Sequence, residues 1–333
     1  MQRFALIGAG FIGSVHARNL AANPDVDFAL VYDVDAERAE SLALAHGAKA
    51  ARGLDEVFDP SLIDAVFIAS STNTHAANLR RAADAGIAAL VEKPIDTDLA
   101  QARTTAAYIE RSGIRAMVNF NRRFDRDHAE LKRLVDDGDL GPLSLIQLTS
   151  RGPALPPLEY LKVSGGQMRD QTVHFFDLAR WICGADPREV FVAGSALSDP
   201  RVADLGDVDT SAATLVFDSG TLAQIDSVRH TGYGYDERIE ALGADGMAES
   251  GRMRSGNVTL FRGAHSRADG LHGNWFERVQ PTYAAALKAF VDALERGTEV
   301  PVPLRDGLKA QAIAEAATRS LASGRSERVD YNA

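Results

Sequence analysis

The chain has one cysteine, Cys183, in 333 residues. An internal disulfide is therefore excluded, which suits a reducing compartment, and in its apolar surroundings the thiol reads as core. No apolar run approaches the roughly 20 residues a membrane-spanning helix needs. No basic cluster stands out, and 36 Lys and Arg against 46 Asp and Glu leave a formal charge of −10. Nucleic acid and anionic membrane surfaces are thereby disfavoured as partners. The eight histidines show no ligand spacing with Cys, Asp or Glu, so no metal site is expected. The apolar run Phe4 to Ile12 is broken by glycines and lacks the basic start and cleavage site of an export signal, so a cytoplasmic location is expected. There is no internal repeat or low-complexity segment. A hydrophobic share of 45% with 25% charged residues is what a soluble globular chain shows, and the length allows two domains, each with its own core.

The N-terminal third alternates strand and helix. Phe4-Ala-Leu-Ile7 is a short apolar run, read as a buried strand. Gly8-Ala-Gly10-Phe11-Ile12-Gly13 follows at once and opens a helical pattern, the context a dinucleotide-binding turn requires. The first glycine permits the tight turn, the second lets backbone approach a pyrophosphate, and the third lets helix pack on strand. Free N–H groups at the helix start then face the phosphates. A second strand, Phe28 to Tyr32, ends in Asp33, 20 residues past Gly13, where a carboxylate meets the ribose hydroxyls; an ordinary capping Asp is the alternative. A carboxylate there repels a 2′-phosphate, which favours NAD over NADP, and Arg38 nearby offsets that preference in part. Further strands end in Ser70-Ser71-Thr72-Asn73-Thr74-His75 and in Glu92-Lys93-Pro94. The repeated alternation predicts a doubly wound parallel sheet over 1–120, with ligands at the carboxyl ends of its strands. Lys93 lies at that edge, where it can donate to a substrate hydroxyl; a solvated surface lysine is the alternative.

Gly165-Gly166 breaks the chain before a stretch that reads as helix up to Gly184. Asp170 and His174 are four apart, hence one turn apart on one helix face. A carboxylate so placed can hold an imidazole's tautomer and support its protonated form, which makes a general base. A capping Asp beside a partly buried structural His fits the same spacing.

These motifs together resemble the glucose–fructose oxidoreductase and inositol dehydrogenase family. The resemblance rests on Gly8-Ala-Gly10-Phe-Ile-Gly13 with His16, Ser71 to His75, Glu92-Lys93-Pro94, and Gly165-Gly166 with Asp170 and His174. Phe120 to Asp125, Glu159 to Gly166 and Tyr233 to Arg238 look most like inositol dehydrogenases. The resemblance implies a catalytic trio of Lys93, Asp170 and His174, a cofactor site taking in Phe11, Ile12, Ser70, Ser71, Thr72, Asn73, His75 and Glu92, a homotetramer built through the C-terminal sheet, and a cis bond at Lys93-Pro94. Phe175 departs from it, standing where the family more often has Asp, and Gln167 to Arg169 is more polar than the usual filler.

Beyond residue 120 the alternation gives way to consecutive strands. Leu143 to Ser150, Val190 to Ala196, Thr210 to Phe217, Thr221 to His230 and Glu237 to Gly243 read as strands, with Asp218-Ser-Gly220 a hairpin signal. Residues 121–333 are thus expected as an α+β substrate-binding and oligomerisation domain with a large, mostly antiparallel open sheet. Arg262 to Asn274 reads as a polar, glycine-rich loop, and Pro281 to Arg296 and Leu304 to Ser323 as helices that could pack back on the first domain. Tyr235, with Tyr233 and His230, either lines a polyol pocket or is an ordinary strand aromatic. One of Arg122 and Arg123 is expected to meet substrate, Arg122 by preference. The reading at this stage is an NAD-dependent oxidation of a cyclic polyol, myo-inositol to 2-keto-myo-inositol. Another inositol isomer or an aldose is the nearest alternative, and a nonenzymatic NAD-binding regulator the rival of a different class.

Overall fold

Six short parallel strands, the central ones buried on both faces and carrying little polar chain, form the first sheet. In the computed structural model, which describes residues 1–332, they are β1 (Gln2–Ile7), β2 (Val26–Tyr32), β3 (Lys49–Ala50), β4 (Ala65–Ile68), β5 (Ala88–Val91) and β6 (Ala116–Val118), in the order β3-β2-β1-β4-β5-β6. Phe4, Leu6, Phe67, Ile68 and Leu90 are wholly buried in it. The connecting helices are α1 (Phe11–Ala22), α2 (Ala36–His46), α3 (Leu54–Val57), α4 (His75–Ala85) and α5 (Leu99–Ser112). Asp35 caps α2 and Asp98 caps α5 with side-chain acceptors, and Gly47, Gly86 and Gly113 end α2, α4 and α5 in the left-handed conformation. The strand order reverses between β1 and β4, the topological switch where such sheets open a ligand crevice.

The chain divides into two compact units, Met1–Phe124 with Thr282–Leu308, and Asp125–Pro281 with Lys309–Ala333. Where the sequence reading drew a single boundary after residue 120, the first unit takes back a later segment. Pro303 bridges to Met117, and the Val118 N–H donates to the Val302 carbonyl.

The second unit is built on α6 (Arg126–Asp136) and a seven-stranded sheet. Its strands are β7 (Leu143–Arg151), β8 (Pro187–Ser195), β9 (Thr210–Phe217), β10 (Leu222–Val228), β11 (Asp236–Gly243), β12 (Met247–Ser250) and, near the C-terminus, β15 (Glu327–Arg328), ordered β12-β11-β7-β10-β9-β8-β15. Only β7 and β10 pair in parallel; the other pairings are antiparallel. Between β7 and β8 come α7 (Leu158–Leu161) and α8 (Val173–Cys183), and α9 (Arg201–Asp204) precedes β9. Within the stretch expected as a loop from Arg262, β14 (His265–Ala268) folds back on β13 (Thr259–Arg262) as a hairpin around Gly263 at φ +59°. A glycine able to take that conformation turns the chain where composition alone suggested no strand. The helix expected from Pro281 begins earlier, at Trp275, so α10 (Trp275–Arg296) carries the proline inside it; α11 (Leu304–Ser323) follows.

Two glycines of the first turn, Gly8 and Gly13, are required by packing: a Cβ on Gly8 would lie 2.5 Å from the Ala69 carbonyl oxygen. A Cβ on Gly13 would lie 2.0 Å from the Gly8 carbonyl oxygen, whereas one on Gly10 would meet nothing within 4 Å. Gly13→Ala should therefore lower stability by about 1–3 kcal/mol through overpacking, while Gly10→Ala should change it by less than about 0.5 kcal/mol. Chemical denaturation of both variants reads this, and equal losses would refute the assigned glycine roles.

Candidate active site

The first unit gathers its polar groups at the carboxyl ends of its strands. Gly10 caps α1 without any side-chain hydrogen bond, so the helix start is left to an anion. The open space beside Gly10 is what a pyrophosphate approaching the backbone would need. Asp33 is anchored at the end of β2: its carboxylate accepts the Ala9 N–H at 2.6 Å and the Asp35 N–H at 2.9 Å. One carboxylate has about four acceptor positions, so capacity for ribose hydroxyls remains. Arg38 leans back on Asp35 at 3.0 Å, an exposed pair. Phe11 is 64 % exposed, and Ser71 and Asn73 are also exposed. Thr72 opens a short 3-10 turn, Thr72–Thr74, tied by Ser70 Oγ to Thr74 Oγ1 at 2.7 Å. Ile12 is half-buried on α1.

Of the residues expected to touch the cofactor, His75 is buried and Glu92 is half-buried. His75 is 1 % exposed, and its ring nitrogens lie 2.8 Å from the Pro94 carbonyl and 3.0 Å from the Ser70 carbonyl. A neutral imidazole has one N–H to donate, so His75 bonds one of these carbonyls while its ring lies between the loop after β4 and the Glu92-Lys93-Pro94 turn. Glu92 Oε1 accepts from Asn119 at 2.7 Å and meets His16 Nε2 at 2.8 Å. His16 is fully buried and packed on Phe67, ring centres 3.7 Å apart. Burial works to raise the Glu92 carboxyl, but the His16 hydrogen bond and charge, with Asn119 and Lys93, outweigh it and hold the group below the usual carboxylate range. Lys93 follows β5 half-buried, and the Lys93-Pro94 bond is cis. Arg123 pairs with Asp306 at 2.9 Å, and Arg122, buried, donates to Asn121 Oδ1 at 2.9 Å. Arg123 is thus set against a carboxylate.

In the second unit Gly165 and Gly166 turn the chain at φ +80° and +89°, which an L side chain resists. The continuous α-helix expected from there is not what forms. Met168–Thr172 is a π-helical turn, and α8 begins only at Val173. Side chains dock this wider turn on the sheet. Gln167 Nε2 donates to the Asp209 and Ser227 carbonyls at 3.1 and 3.3 Å. Gln171 Nε2 donates to the Ser150 and Val228 carbonyls at 3.1 and 3.2 Å, and Thr172 bonds Ser227 Oγ at 3.0 Å. The polar filler has this use, and Arg169 adds a two-pronged pair to Glu315 at 2.6 and 2.7 Å. A π turn in a helix often marks a functional position, and Asp170 sits inside this one. Its carboxylate accepts the Tyr160 hydroxyl at 2.8 Å and faces Arg229 Nη1 at 3.3 Å. His174 is 9 % exposed in the first turn of α8, while Phe175 and Asp177 beside it are buried.

Tyr235, expected at the substrate, points into the interior. It is 6 % exposed and donates to Glu237 Oε2 at 2.7 Å, in a buried cluster where Glu237 also lies 3.9 Å from His128 Nδ1. A phenol so placed finds its partner within the core rather than on a ligand. Tyr160 and Arg229 went unnoticed in the sequence. The first lay in a stretch already likened to inositol dehydrogenases and the second directly before His230, but neither spacing shows which carboxylate it meets. No group of three or more His, Cys, Asp or Glu able to hold a metal occurs among the described residues, and no helix among them is long and apolar enough to cross a membrane.

Comparison with known proteins agrees with this arrangement. Residues 2–120 match the family model of the oxidoreductases with an NAD-binding Rossmann fold, and residues 128–249 match the GFO/IDH/MocA C-terminal domain. The chain is 38 % identical to an inositol 2-dehydrogenase of Rhizobium meliloti over 97 % of its own length and 98 % of that protein's. It is 36 % identical to a myo-inositol 2-dehydrogenase of Thermotoga maritima over 99 % of both. Among solved structures it superposes on a myo-inositol dehydrogenase from Corynebacterium glutamicum with a TM-score of 0.94 at 36 % identity, covering 99 % of each chain. A scyllo-inositol dehydrogenase from Lactobacillus casei, with NAD(H) and scyllo-inositol bound, gives 0.91 at 25 % identity and the same coverage. By both domain matches and by its full-length relatives, the chain belongs to the GFO/IDH/MocA family of oxidoreductases with an NAD-binding Rossmann fold.

Proposed function

We propose that this chain is an NAD-dependent dehydrogenase of a cyclic polyol, oxidising myo-inositol to 2-keto-myo-inositol. The observation that carries the reading is a second unit that sets Asp170 in a built polar turn and His174 at the start of the helix that follows it, in a chain of an oxidoreductase family whose full-length relatives include inositol dehydrogenases. Bound NAD supplies a hydride acceptor, the chemistry of the cofactor itself. Gly8 to Gly13 and Asp33 are the residues that hold it. His174 takes the proton from the reacting hydroxyl, Asp170 supports the imidazole, and Lys93 donates to the oxygen as negative charge develops on it. Of the residues first assigned to substrate, Arg122 stays in the reading and Tyr235 leaves it. The same site acting on scyllo-inositol is the second reading, favoured by the Lactobacillus casei relative.

The preference for NAD over NADP belongs to the same proposal. Asp33 places a carboxylate at the end of β2, and Arg38, the nearby cation, leans on Asp35. A homotetramer in the cytoplasm completes it. Phe191, Leu222 and Leu242 leave the large sheet with apolar side chains about 40 % exposed, surface that a second copy would cover.

Two measurements follow. Lys93→Ala and His174→Ala should each cut kcat with myo-inositol by about a thousandfold while NAD affinity, followed by fluorescence titration, stays near wild type; near-normal turnover in either removes that residue from the chemistry. With the intact enzyme, kcat/KM should favour NAD over NADP by at least about tenfold, and Asp33→Ser should erode that ratio by relieving the repulsion of a 2′-phosphate. A wild type indifferent to the two cofactors would contradict the role given to Asp33.

A further inference from the structure

Asp170 is held from two sides by groups that the proposed chemistry does not use. On one side the Tyr160 hydroxyl donates to Oδ1 at 2.8 Å. On the other, Arg229 Nη1 faces Oδ2 at 3.3 Å. Arg229 is itself 3 % exposed, and its Nη2 lies 3.7 Å from Asp207 Oδ2. Asp207 is fixed in turn by the Gln167 N–H, which donates to its Oδ1 at 2.8 Å. The Arg229 backbone N–H donates to the Asp209 carbonyl at 2.8 Å. Asp209 is pinned by the backbone N–H groups of Leu197, Ser198 and Asp199. A buried guanidinium therefore stands between two carboxylates on a backbone that cannot drift. Removing a buried charge's partner is costly, so this arrangement fixes where Asp170 points. Tyr160 is different in kind. It is 47 % exposed, and it belongs to α7, one turn long, in the loop segment before Gly165. Its ring contributes little core, yet its hydroxyl reaches the carboxylate. Burial pushes the phenol above its ordinary range, and the charge and hydrogen bond of Asp170 push it further, so it stays a donor throughout the neutral range.

We propose that Tyr160 and Arg229 are positioning residues: together they hold the Asp170 carboxylate in the one orientation from which it supports His174. The inference rests on the dehydrogenase reading above. It adds two residues whose effect passes through Asp170 rather than through contact with substrate. A carboxylate fixed in advance needs no reorganisation when positive charge arises on the imidazole, which is how preorganised groups lower a barrier.

The test is a double-mutant cycle on steady-state kinetics with myo-inositol and NAD. Tyr160→Phe removes one oxygen from a half-exposed ring and should leave thermal unfolding close to wild type. It should lower kcat by roughly tenfold to a hundredfold, the worth of a hydrogen bond to a charged group, with KM for NAD unchanged. In an Asp170→Asn background the same change should cost almost nothing more, because its route of action is already gone. Arg229→Gln leaves two half-buried carboxylates without their cation, so Arg229→Lys is the companion: it keeps the charge, should lower kcat with KM for NAD unchanged, and like Tyr160→Phe should cost almost nothing more in the Asp170→Asn background; a full multiplied loss there overturns the role of Arg229. A Tyr160→Phe enzyme with wild-type kcat, or one whose loss multiplies in full onto Asp170→Asn, overturns the inference while leaving the dehydrogenase intact. A wild type that turns over no polyol overturns the dehydrogenase reading, and this inference with it.

Discussion

A carboxylate caught between a phenol and a buried guanidinium is the constraint on which the second unit depends. Asp170 stands in a π turn that Gln167, Gln171 and Thr172 dock, through side-chain hydrogen bonds, on the ends of β7, β9 and β10. The turn so docked holds the carboxylate beside Tyr160 and Arg229. Buried polar groups that are fully engaged rigidify a site, and partly engaged ones weaken it. Gln167, wholly buried, is anchored through its Nε2 alone: without the Asp209 and Ser227 carbonyls that N–H group would be an uncompensated burden on the core.

The first unit solves a related problem with a different set of residues. Its glycine turn must keep backbone N–H groups open to a ligand, so the turn cannot be stiffened by side chains of its own. Support comes from beneath. Asp33 holds the Ala9 N–H, Glu92 joins His16 to Asn119, and His75 lies between the Ser70 and Pro94 carbonyls. Three of the strand ends that carry ligand-facing groups are thus cross-tied by buried or half-buried polar side chains. The open face can then stay open without the edge of the sheet losing its shape.

Much of this was legible in the sequence. The spacing from Gly8 to Asp33 requires a strand, a turn and a second strand, and the structure supplies all three. The run of consecutive strands after residue 140 implied an open, largely antiparallel sheet, which is what forms. What stayed hidden has a common physical cause. Whether a polar side chain faces a ligand or the interior depends on what packs against it from far along the chain. His75 turns inward because Pro94 offers a carbonyl, Tyr235 because Glu237 is itself buried, and Glu92 because His16 and Asn119 converge on it. Local pattern could mark these residues as polar and near an edge, but not which way they point. The π turn was invisible for the same reason, since the carbonyls that hold Gln167 lie 42 and 60 residues further on. The sequence left open whether the C-terminal helices rejoin the first domain; that 282–308 does so rests on pairings such as Met117 with Pro303, which no local periodicity reports.

The central claim is that hydrogen leaves the carbinol carbon of the polyol as hydride while His174 removes the hydroxyl proton. Myo-inositol deuterated at that carbon, turned over by the purified protein with NAD, tests it most directly. The account predicts that the label appears on the reduced nicotinamide, with product formation slowed whenever the transfer step limits the rate. Deuterium released to water, or no reduced nicotinamide at all, would contradict it.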